Sequence, residues 1–244
     1  MELGARGQRI GRTWHFGRVV SAFTVAVVGA VVCHTGSVSA RLETADSVEK
    51  ARVLVLGDSV FHSFHHIASA RQKMNAQQTT IFATQTCQRL VSPGCRPSAK
   101  LSALDLLRKH AGRVTDVVVV GTGYNDRIGP DFKEAVTMIT DEARQQGLEV
   151  LWVNYREVRH VRGKAEVMNE QLGRFDKKID NLHVADWNSF SAEAKGWFRP
   201  DRLHLIGPGA NKLAEFLNAS LAQILAARDA GTQAAARGST TQQG

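Results

Sequence analysis

Five short runs of apolar, mostly β-branched residues alternate along the chain with longer segments of helical periodicity. The runs cover residues 53–56, 79–83, 117–120, 150–154 and 182–185. Because these runs are short and almost free of charge, we predict strands that are covered by helices on both faces. Alternating strands and helices are typical of a parallel sheet, so the pattern predicts a three-layer α/β/α domain with a five-stranded parallel sheet.

The helical segments are predicted over residues 60–73, 100–110, 131–146, 165–178 and 210–227. The last segment has the clearest apolar stripe, with members at steps of three and four residues. Its members are Leu213, Phe216, Leu217, Leu221, Ile224 and Leu225. We therefore expect one domain over residues 51–227, followed by a disordered tail over 228–244, where bulky apolar residues are lacking.

Residues 1–40 have the three parts of an export signal: a basic stretch, an apolar run over 19–33, and the small residues 38–40. The apolar run is shorter than the roughly 20 residues of a spanning helix, which favours a cleaved leader over a permanent membrane anchor. A tether through this segment is the alternative. Either reading predicts a domain outside the cytoplasm, secreted or held at the outer face of the cytoplasmic membrane.

The formal charge of +8 lies partly in the leader, and the rest of the chain has no Lys/Arg block with interleaved aromatic residues. We therefore expect no nucleic-acid partner. Loss of the leader would remove Cys33 and leave one pair, Cys87 and Cys95, on either side of a Pro-Gly turn. This pair predicts a disulfide in an oxidising compartment; the alternative is two unrelated buried thiols.

Three motifs fall where an open parallel sheet binds ligands, which is beyond the carboxyl ends of its strands. Ser59 follows the first strand in Gly57-Asp58-Ser59 and is a candidate nucleophile at the start of a helix. Asn125 follows the third strand and could offer an amide to an oxyanion. Asp201 and His204 follow the fifth strand and could orient and supply a general base. Taken singly, each motif could be a helix cap, a turn or a surface ion pair.

Together the motifs resemble those of the SGNH (GDSL-like) hydrolases, whose four sequence blocks carry Ser, Gly, Asn and His. The first block matches residues 57–59, the third matches 123–126 and the last matches 201–204. The resemblance covers about residues 51–227. It implies a flavodoxin-like fold with Ser59 as nucleophile and His204 and Asp201 as its supporting pair.

The second block departs from the family pattern, because the glycine that completes the oxyanion hole there is missing. The second strand instead runs into Thr84-Gln85-Thr86-Cys87. The oxyanion hole is therefore expected to use Ser59 and Asn125, with Gly94 or a backbone N–H near Thr86 as a further donor.

Substrate contacts are predicted from residues near these motifs. We assign Asp58, Tyr124, Arg127, Trp187 and Trp197 to this role, because the first three lie within or beside the blocks and the two tryptophans flank the loop that leads to Asp201. Further cations could line a rim for an anionic substrate or could be solvated loop charges. They are Arg156, Arg159, Arg162 and Lys164.

The function predicted from the sequence is that of a monomeric, exported serine esterase acting on short O-acyl esters of an envelope carbohydrate. An O-acyltransferase acting on a cell-wall glycan is the first alternative, and a non-catalytic envelope-binding module is the second. The chemistry needs no cofactor or metal. Although His62, His65 and His66 lie close together, no nearby Asp, Glu or Cys completes a zinc site, so we interpret them as polar residues of the first helix.

Overall fold

A computed structural model describes residues 49–240 of the chain. The predicted leader with Cys33 and the last four residues of the predicted tail lie outside the described residues. Within residues 49–240, no helix is both long and apolar enough to cross a membrane.

Five parallel strands form one sheet in the order β2-β1-β3-β4-β5. They are β1 Arg52–Gly57, β2 Thr79–Thr84, β3 Val117–Gly121, β4 Glu149–Val153 and β5 Leu182–Ala185. All five lie at the predicted positions, and the parallel pairing is confirmed. Of the three interior strands, β1 and β3 are almost completely buried, which explains why their sequences are apolar apart from Arg52.

Seven α-helices accompany the sheet within residues 49–240. They are α1 Ser63–His66, α2 Ala68–Gln77, α3 Ala103–Lys109, α4 Pro130–Gln145, α5 Arg162–Phe175, α6 Trp187–Phe190 and α7 Gly207–Thr240. The helix predicted over 60–73 is two helices, because Ile67 between them has an extended backbone. The short α6 was not predicted; Asp186 caps it by accepting a hydrogen bond from the Ser189 N–H at 3.0 Å.

The helices cover both faces of the sheet, as the three-layer prediction requires. Leu54 and Leu56 of β1 point into a core shared with α3, α4 and α5. Val53 and Val55 point to the other side, into a core shared with α1, α2 and α7. The alternation along β1 therefore supplies one apolar face to each layer.

The chain after Ala227 differs from the disordered tail that we expected over 228–244, because α7 continues to Thr240. Alanine, the most favourable residue for a helix, recurs through this stretch, and no proline interrupts it. Arg228 also donates hydrogen bonds to the backbone oxygens of Thr115 at 3.2 Å and Asp116 at 3.0 Å, which fastens the helix beside the start of β3.

Two glycines lie side by side at the carboxyl ends of β1 and β3. Gly57 and Gly121 are register partners, and the side chain of Phe61 packs directly over both. A Cβ atom at either position would overlap Phe61. The missing side chains therefore let the segment after β1 fold back tightly across the sheet edge.

We predict that Gly121→Ala destabilises the protein by about 1 to 3 kcal/mol, because the added methyl group must displace the Phe61 ring from a packed position. Urea unfolding measures the change. Gly163→Ala is the matched control, since nothing lies within 4 Å of a Cβ atom built there; it should be neutral or stabilising by up to about 1 kcal/mol. Equal stabilities for the two variants would contradict the packing argument.

Candidate active site

Ser59 lies in a tight turn immediately beyond β1. The Val60 N–H donates to Oδ1 of Asp58 at 3.0 Å, and the His62 N–H donates to the Asp58 backbone oxygen at 2.9 Å. The sequence predicted that Ser59 begins a helix, but α1 starts only at Ser63. Ser59 is therefore held in place by the hydrogen bonds that Asp58 accepts, and not by the first turn of a helix.

Ser59, His204 and Asp201 form a continuous line of hydrogen bonds. Nε2 of His204 lies 2.9 Å from Oγ of Ser59, and Nδ1 of His204 lies 2.9 Å from Oδ2 of Asp201. The other carboxylate oxygen of Asp201 accepts the backbone N–H groups of Leu203 and His204, at 2.8 and 2.9 Å. The structure thus brings together the Ser59 side chain and the Asp201–His204 pair, which the sequence placed on two separate loops.

The carboxylate of Asp201 is held in its charged form. Burial alone would raise its pKa, but the backbone N–H groups of Leu203 and His204 and the His204 ring outweigh that effect, so the pKa lies below its usual value. A charged Asp201 accepts a hydrogen bond from the N–H at Nδ1 of His204. The other ring nitrogen is then free to accept the hydroxyl proton of Ser59.

A small hairpin positions Asp201 and His204. Phe198 and Leu205 form an antiparallel bridge, and the backbone N–H of Arg199 donates to the backbone oxygen of His204 at 2.8 Å. The Ile206 N–H donates to the Trp197 backbone oxygen at 3.0 Å. These bonds hold the loop in a closed shape at the entrance to α7.

Arg156 anchors this hairpin from below. Its guanidinium donates to the Ser191 side chain at 2.9 Å and to the Ser191 backbone oxygen at 2.7 Å, and it also donates to the backbone oxygen of Arg202. The same group lies 3.9 Å from the centre of the Phe198 ring. Arg156 is only 2% exposed, so it is a structural residue of the hairpin and not part of a cationic rim.

Asn125 reaches the same edge from the loop after β3. Its side-chain amide donates to the Gln88 backbone oxygen at 3.1 Å, and the backbone oxygen of Asn125 accepts a hydrogen bond from Arg89 at 3.0 Å. The neighbouring Asp126 accepts the Leu90 N–H at 3.0 Å. The loop after β3 is therefore tied to the segment that follows β2, and Asn125 faces the cavity that contains Ser59.

Gly94 does not lie where a third oxyanion donor is needed. Its N–H donates to the backbone oxygen of Ala99 at 2.8 Å, within the turn that closes its own loop, and Gly94 does not line the cavity. Thr86 and Cys87 do line it, and within residues 49–240 neither of their backbone N–H groups has a hydrogen-bond acceptor.

Cys87 has the left-handed backbone conformation that normally belongs to glycine, with φ of 65°. This conformation costs a residue with a side chain about 1–2 kcal/mol. The Cα atoms of Cys87 and Cys95 are 5.4 Å apart, a separation that a disulfide can span. Cys87, in the segment after β2 where the second-block glycine is missing, thus has a backbone conformation usual for glycine, which the sequence alone could not show.

A cavity of about 450 Å³ opens beside Ser59 and His204. Its lining residues are Ser59, His62, Ser63, His66, Ile67, Thr86, Cys87, Arg96, Asn125, Arg199, His204 and Leu205. None of the five residues that we predicted for substrate contact is among them.

The misplaced predictions have physical causes. Asp58 is completely buried beneath the turn that carries Ser59, and Trp187 is 3% exposed in the core against α7. The ring of Trp197 stacks on Trp187, with the ring centres 6.1 Å apart. The hydroxyl of Tyr124 turns inward and accepts the Arg156 backbone N–H at 2.6 Å. Arg127 lines a second cavity of about 420 Å³, which shares only Asn125 with the lining of the first.

Four cavity residues with histidine or arginine side chains were not among the predicted substrate contacts: His62, His66, Arg96 and Arg199. The histidines were noticed only as a cluster, and their rings do lie together, with His62 at 4.7 Å from His65 and 5.2 Å from His66. Within the described residues, no group of His, Cys, Asp or Glu side chains is arranged to hold a metal ion. The available signal for the two arginines was their position in the chain, since Arg96 follows Cys95 directly and Arg199 lies two residues before Asp201.

Burial raises the pKa of Asp58 to about 7 from an ordinary value of 3.8. A carboxyl whose pKa is higher in the folded chain holds its proton more tightly there. The stabilisation linked to this proton is therefore complete below about pH 4 and is lost as the pH rises to about 7.

We predict that Asp58→Asn flattens the fall in unfolding free energy between pH 4 and 7, because the side chain no longer titrates. Urea unfolding of both proteins across this range measures the difference. Burial also raises the pKa of Asp126 to about 6, and the charge of Asp126 contributes to the raised pKa of Asp58. Asp126 titrates in both proteins, so the difference between the two profiles reports the loss of Asp58 together with this coupling. Asp180→Asn, at an exposed carboxylate, is the control, and a pH profile for Asp58→Asn parallel to the wild type would contradict the prediction.

Comparison with known proteins gives a structural answer only. No protein family matches the chain by profile, and no curated protein matches it by sequence. Solved structures do match over most of their length.

The C-terminal catalytic domain of peptidoglycan O-acetyltransferase A from Streptococcus pneumoniae, solved with a methylsulfonyl adduct, is 16% identical with a TM-score of 0.54. The match covers 72% of this chain and 96% of that one. The psychrotrophic esterase EstA from Pseudoalteromonas sp., inhibited by monoethylphosphonate, is 13% identical with a TM-score of 0.55, over 72% of this chain and 99% of that one. A protein of Slackia heliotrinireducens assigned to the SGNH hydrolases is 17% identical with a TM-score of 0.53, over 69% of this chain and 97% of that one.

At this level of identity, these matches show a shared fold. The chain therefore has the fold of the SGNH (GDSL-like) hydrolases.

Proposed function

We propose that the protein is a serine esterase that cleaves short O-acyl esters, with O-acetyl esters of an envelope carbohydrate as its substrate. The observation that carries the proposal is the 2.9 Å separation between Nε2 of His204 and Oγ of Ser59, with Asp201 bound to the opposite ring nitrogen. A nucleophile, a base and a residue that orients the base are the minimum set for acyl transfer through a serine.

In the proposed reaction, Oγ of Ser59 attacks the ester carbonyl carbon while Nε2 of His204 takes the hydroxyl proton. The bond to the alcohol oxygen then breaks, and His204 returns the proton to that leaving oxygen. The acyl group stays on Ser59 until water attacks its carbonyl carbon while Nε2 of His204 takes a proton from that water. The bond between this carbon and Oγ then breaks, His204 returns the proton to Oγ of Ser59, and the free acid leaves. Asp201 keeps its charge throughout and stabilises the imidazolium that forms twice in each turnover.

The oxyanion of each tetrahedral intermediate would be held by the Ser59 N–H, the Asn125 side-chain amide and the Cys87 N–H. Asn125 keeps one amide hydrogen for this purpose, because Gln88 accepts only the other. Cys87 supports the proposal through its positive φ, its free N–H among the described residues and its place on the cavity wall. A donor of this kind typically lowers the barrier by about 2.7–4 kcal/mol.

The substrate and location rest on the sequence together with the named neighbours. One neighbour is an O-acetyltransferase of peptidoglycan and another is an esterase. The apparent leader over residues 1–40 and the adjacent Cys87 and Cys95 favour a place outside the cytoplasm, where a disulfide persists.

A transferase is the second candidate, and the second cavity favours it. This cavity of about 420 Å³ shares Asn125 with the first, so a glycan acceptor bound there would lie next to the cavity that contains the acyl-enzyme. Hydrolysis of para-nitrophenyl acetate with and without an added chitooligosaccharide separates the two functions. Acetylated sugar in the products supports the transferase, and acetate alone supports the esterase.

We predict that a fluorophosphonate probe labels the wild-type protein and that Ser59→Ala abolishes the labelling. The same variant should lower kcat/KM for para-nitrophenyl acetate by at least about a thousandfold, because the attacking oxygen is lost. Mass spectrometry locates the probe, and release of nitrophenolate measures the rate.

The control is Ser98→Ala, which removes an exposed serine outside the cavity; it should label and hydrolyse like the wild type. Unlabelled wild type with no turnover would overturn the enzyme proposal and leave the envelope-binding module. Labelling that persists in Ser59→Ala would show that another residue is the nucleophile.

We predict that the full chain, produced in a bacterial host, is recovered outside the cytoplasm with Arg41 as its first residue and without free thiols. Cleavage after Ala40 and oxidation of Cys87 with Cys95 give this product. N-terminal sequencing and thiol titration in denaturant test both points. Uncleaved chain in the membrane fraction would show an anchor instead, and two titratable thiols would contradict the disulfide.

A further inference from the structure

Among the described residues, the wall of the cavity beside Ser59 has arginine side chains and no carboxylate. Arg96 and Arg199 lie on its wall with His62 and His66, and no Asp or Glu is among the described residues that line it. A cleft lined by charges of one sign attracts ligands of the opposite sign and raises their local concentration. The electrostatic character of this wall therefore favours an anionic ligand.

Both arginines have guanidinium groups that are available to a ligand. Their side chains are exposed, and within residues 49–240 neither forms an ion pair. Other cationic side chains at this edge of the sheet already donate hydrogen bonds within the protein. Arg89 donates to the Asn125 backbone oxygen at 3.0 Å, and Lys164 donates to the Tyr124 backbone oxygen at 2.8 Å.

The backbone fixes both arginines close to the reacting atoms. Arg96 follows Cys95, whose N–H donates to the Cys87 backbone oxygen at 3.2 Å. Arg199 donates its own backbone N–H to His204 at 2.8 Å. Arg199 is thus bonded through its own backbone to His204, and Arg96 adjoins a residue whose backbone is bonded to Cys87.

We propose that the ester substrate carries a carboxylate or a phosphate on its alcohol half, and that Arg96 and Arg199 bind this anion. The inference rests on the proposed esterase function and defines its substrate class. A short acyl group such as acetyl has no charge, so the anion belongs to the alcohol. The planar guanidinium fork matches the paired oxygens of both anions, which a point charge does not.

The test compares three acetate esters with closely similar rings: para-acetoxybenzoate, para-acetoxyphenyl phosphate and the neutral methyl para-acetoxybenzoate. Their kcat/KM values are measured for the wild type and for the double variant Arg96→Gln/Arg199→Gln. The ratio of variant to wild type for each ester cancels its intrinsic reactivity. We expect a fall of at least about tenfold for an anionic ester, mainly through KM, and less than about twofold for the neutral one.

The two anionic arms identify the chemistry, because the ester with the larger fall carries the preferred anion. The control Lys109→Gln/Arg113→Gln removes two exposed charges at the end of α3, away from the cavity, and should leave all three ratios near one. Arg96→Lys/Arg199→Lys should restore only part of the loss. Added salt should slow the anionic esters and not the neutral one, since these charges are exposed.

Equal losses on neutral and anionic esters, or no loss on either, would overturn the anion site. Failure of the esterase function has a different signature, which is wild-type turnover no higher than that of Ser59→Ala. In that case NMR titration with para-acetamidobenzoate and its methyl ester reads the site directly. A preference for the acid that disappears in the Gln double variant supports the site, and equal affinity for the two compounds refutes it.

Discussion

The contact between the Ser59 hydroxyl and the His204 ring is the constraint on which the rest of the site depends. These residues are 145 positions apart in the chain, so no local preference can bring them together. The contact exists because parallel strands present all their carboxyl ends at one edge. The Gly57–Gly121 pair lets the turn after β1 lie flat against that edge, and the Arg156-anchored hairpin brings the imidazole to it.

The site is built from buried polar groups that do no chemistry themselves. Arg156 satisfies the carbonyl oxygens of two loops, and Asp58 shapes the turn that carries Ser59. Buried polar groups are costly unless they are bonded, so each fixes one arrangement of backbone around it. Neither residue touches the cavity. Their role is to keep Ser59 and His204 at bonding distance while leaving the cavity wall to residues that can contact a substrate.

The division of charge at this edge also follows from burial. The buried Arg156 and the half-buried Lys164 donate their hydrogen bonds to backbone oxygens of the protein. The cations at the mouth, Arg96 and Arg199, keep their donors for a ligand. Sequence position did not distinguish the two kinds, because all four lie in segments that follow strands: Arg96, Arg156 and Arg199 in loops, and Lys164 in the first turn of α5. The two kinds differ in the exposure of their side chains. Burial likewise assigns Trp187 to the core, although in sequence it lies beside the loop that leads to Asp201.

The sequence by itself determined the five strands, their parallel direction, which follows from their alternation with helices, and the three motifs that meet at the carboxyl edge. These features depend on local apolar periodicity and on short motifs, which are written in consecutive residues. Only the tertiary structure decided that the cavity wall contains Arg96 and Arg199, that Cys87 adopts a glycine-like conformation, and that α7 continues past residue 227. Side-chain direction and backbone dihedrals in loops depend on contacts with distant segments, and a linear pattern does not record those contacts.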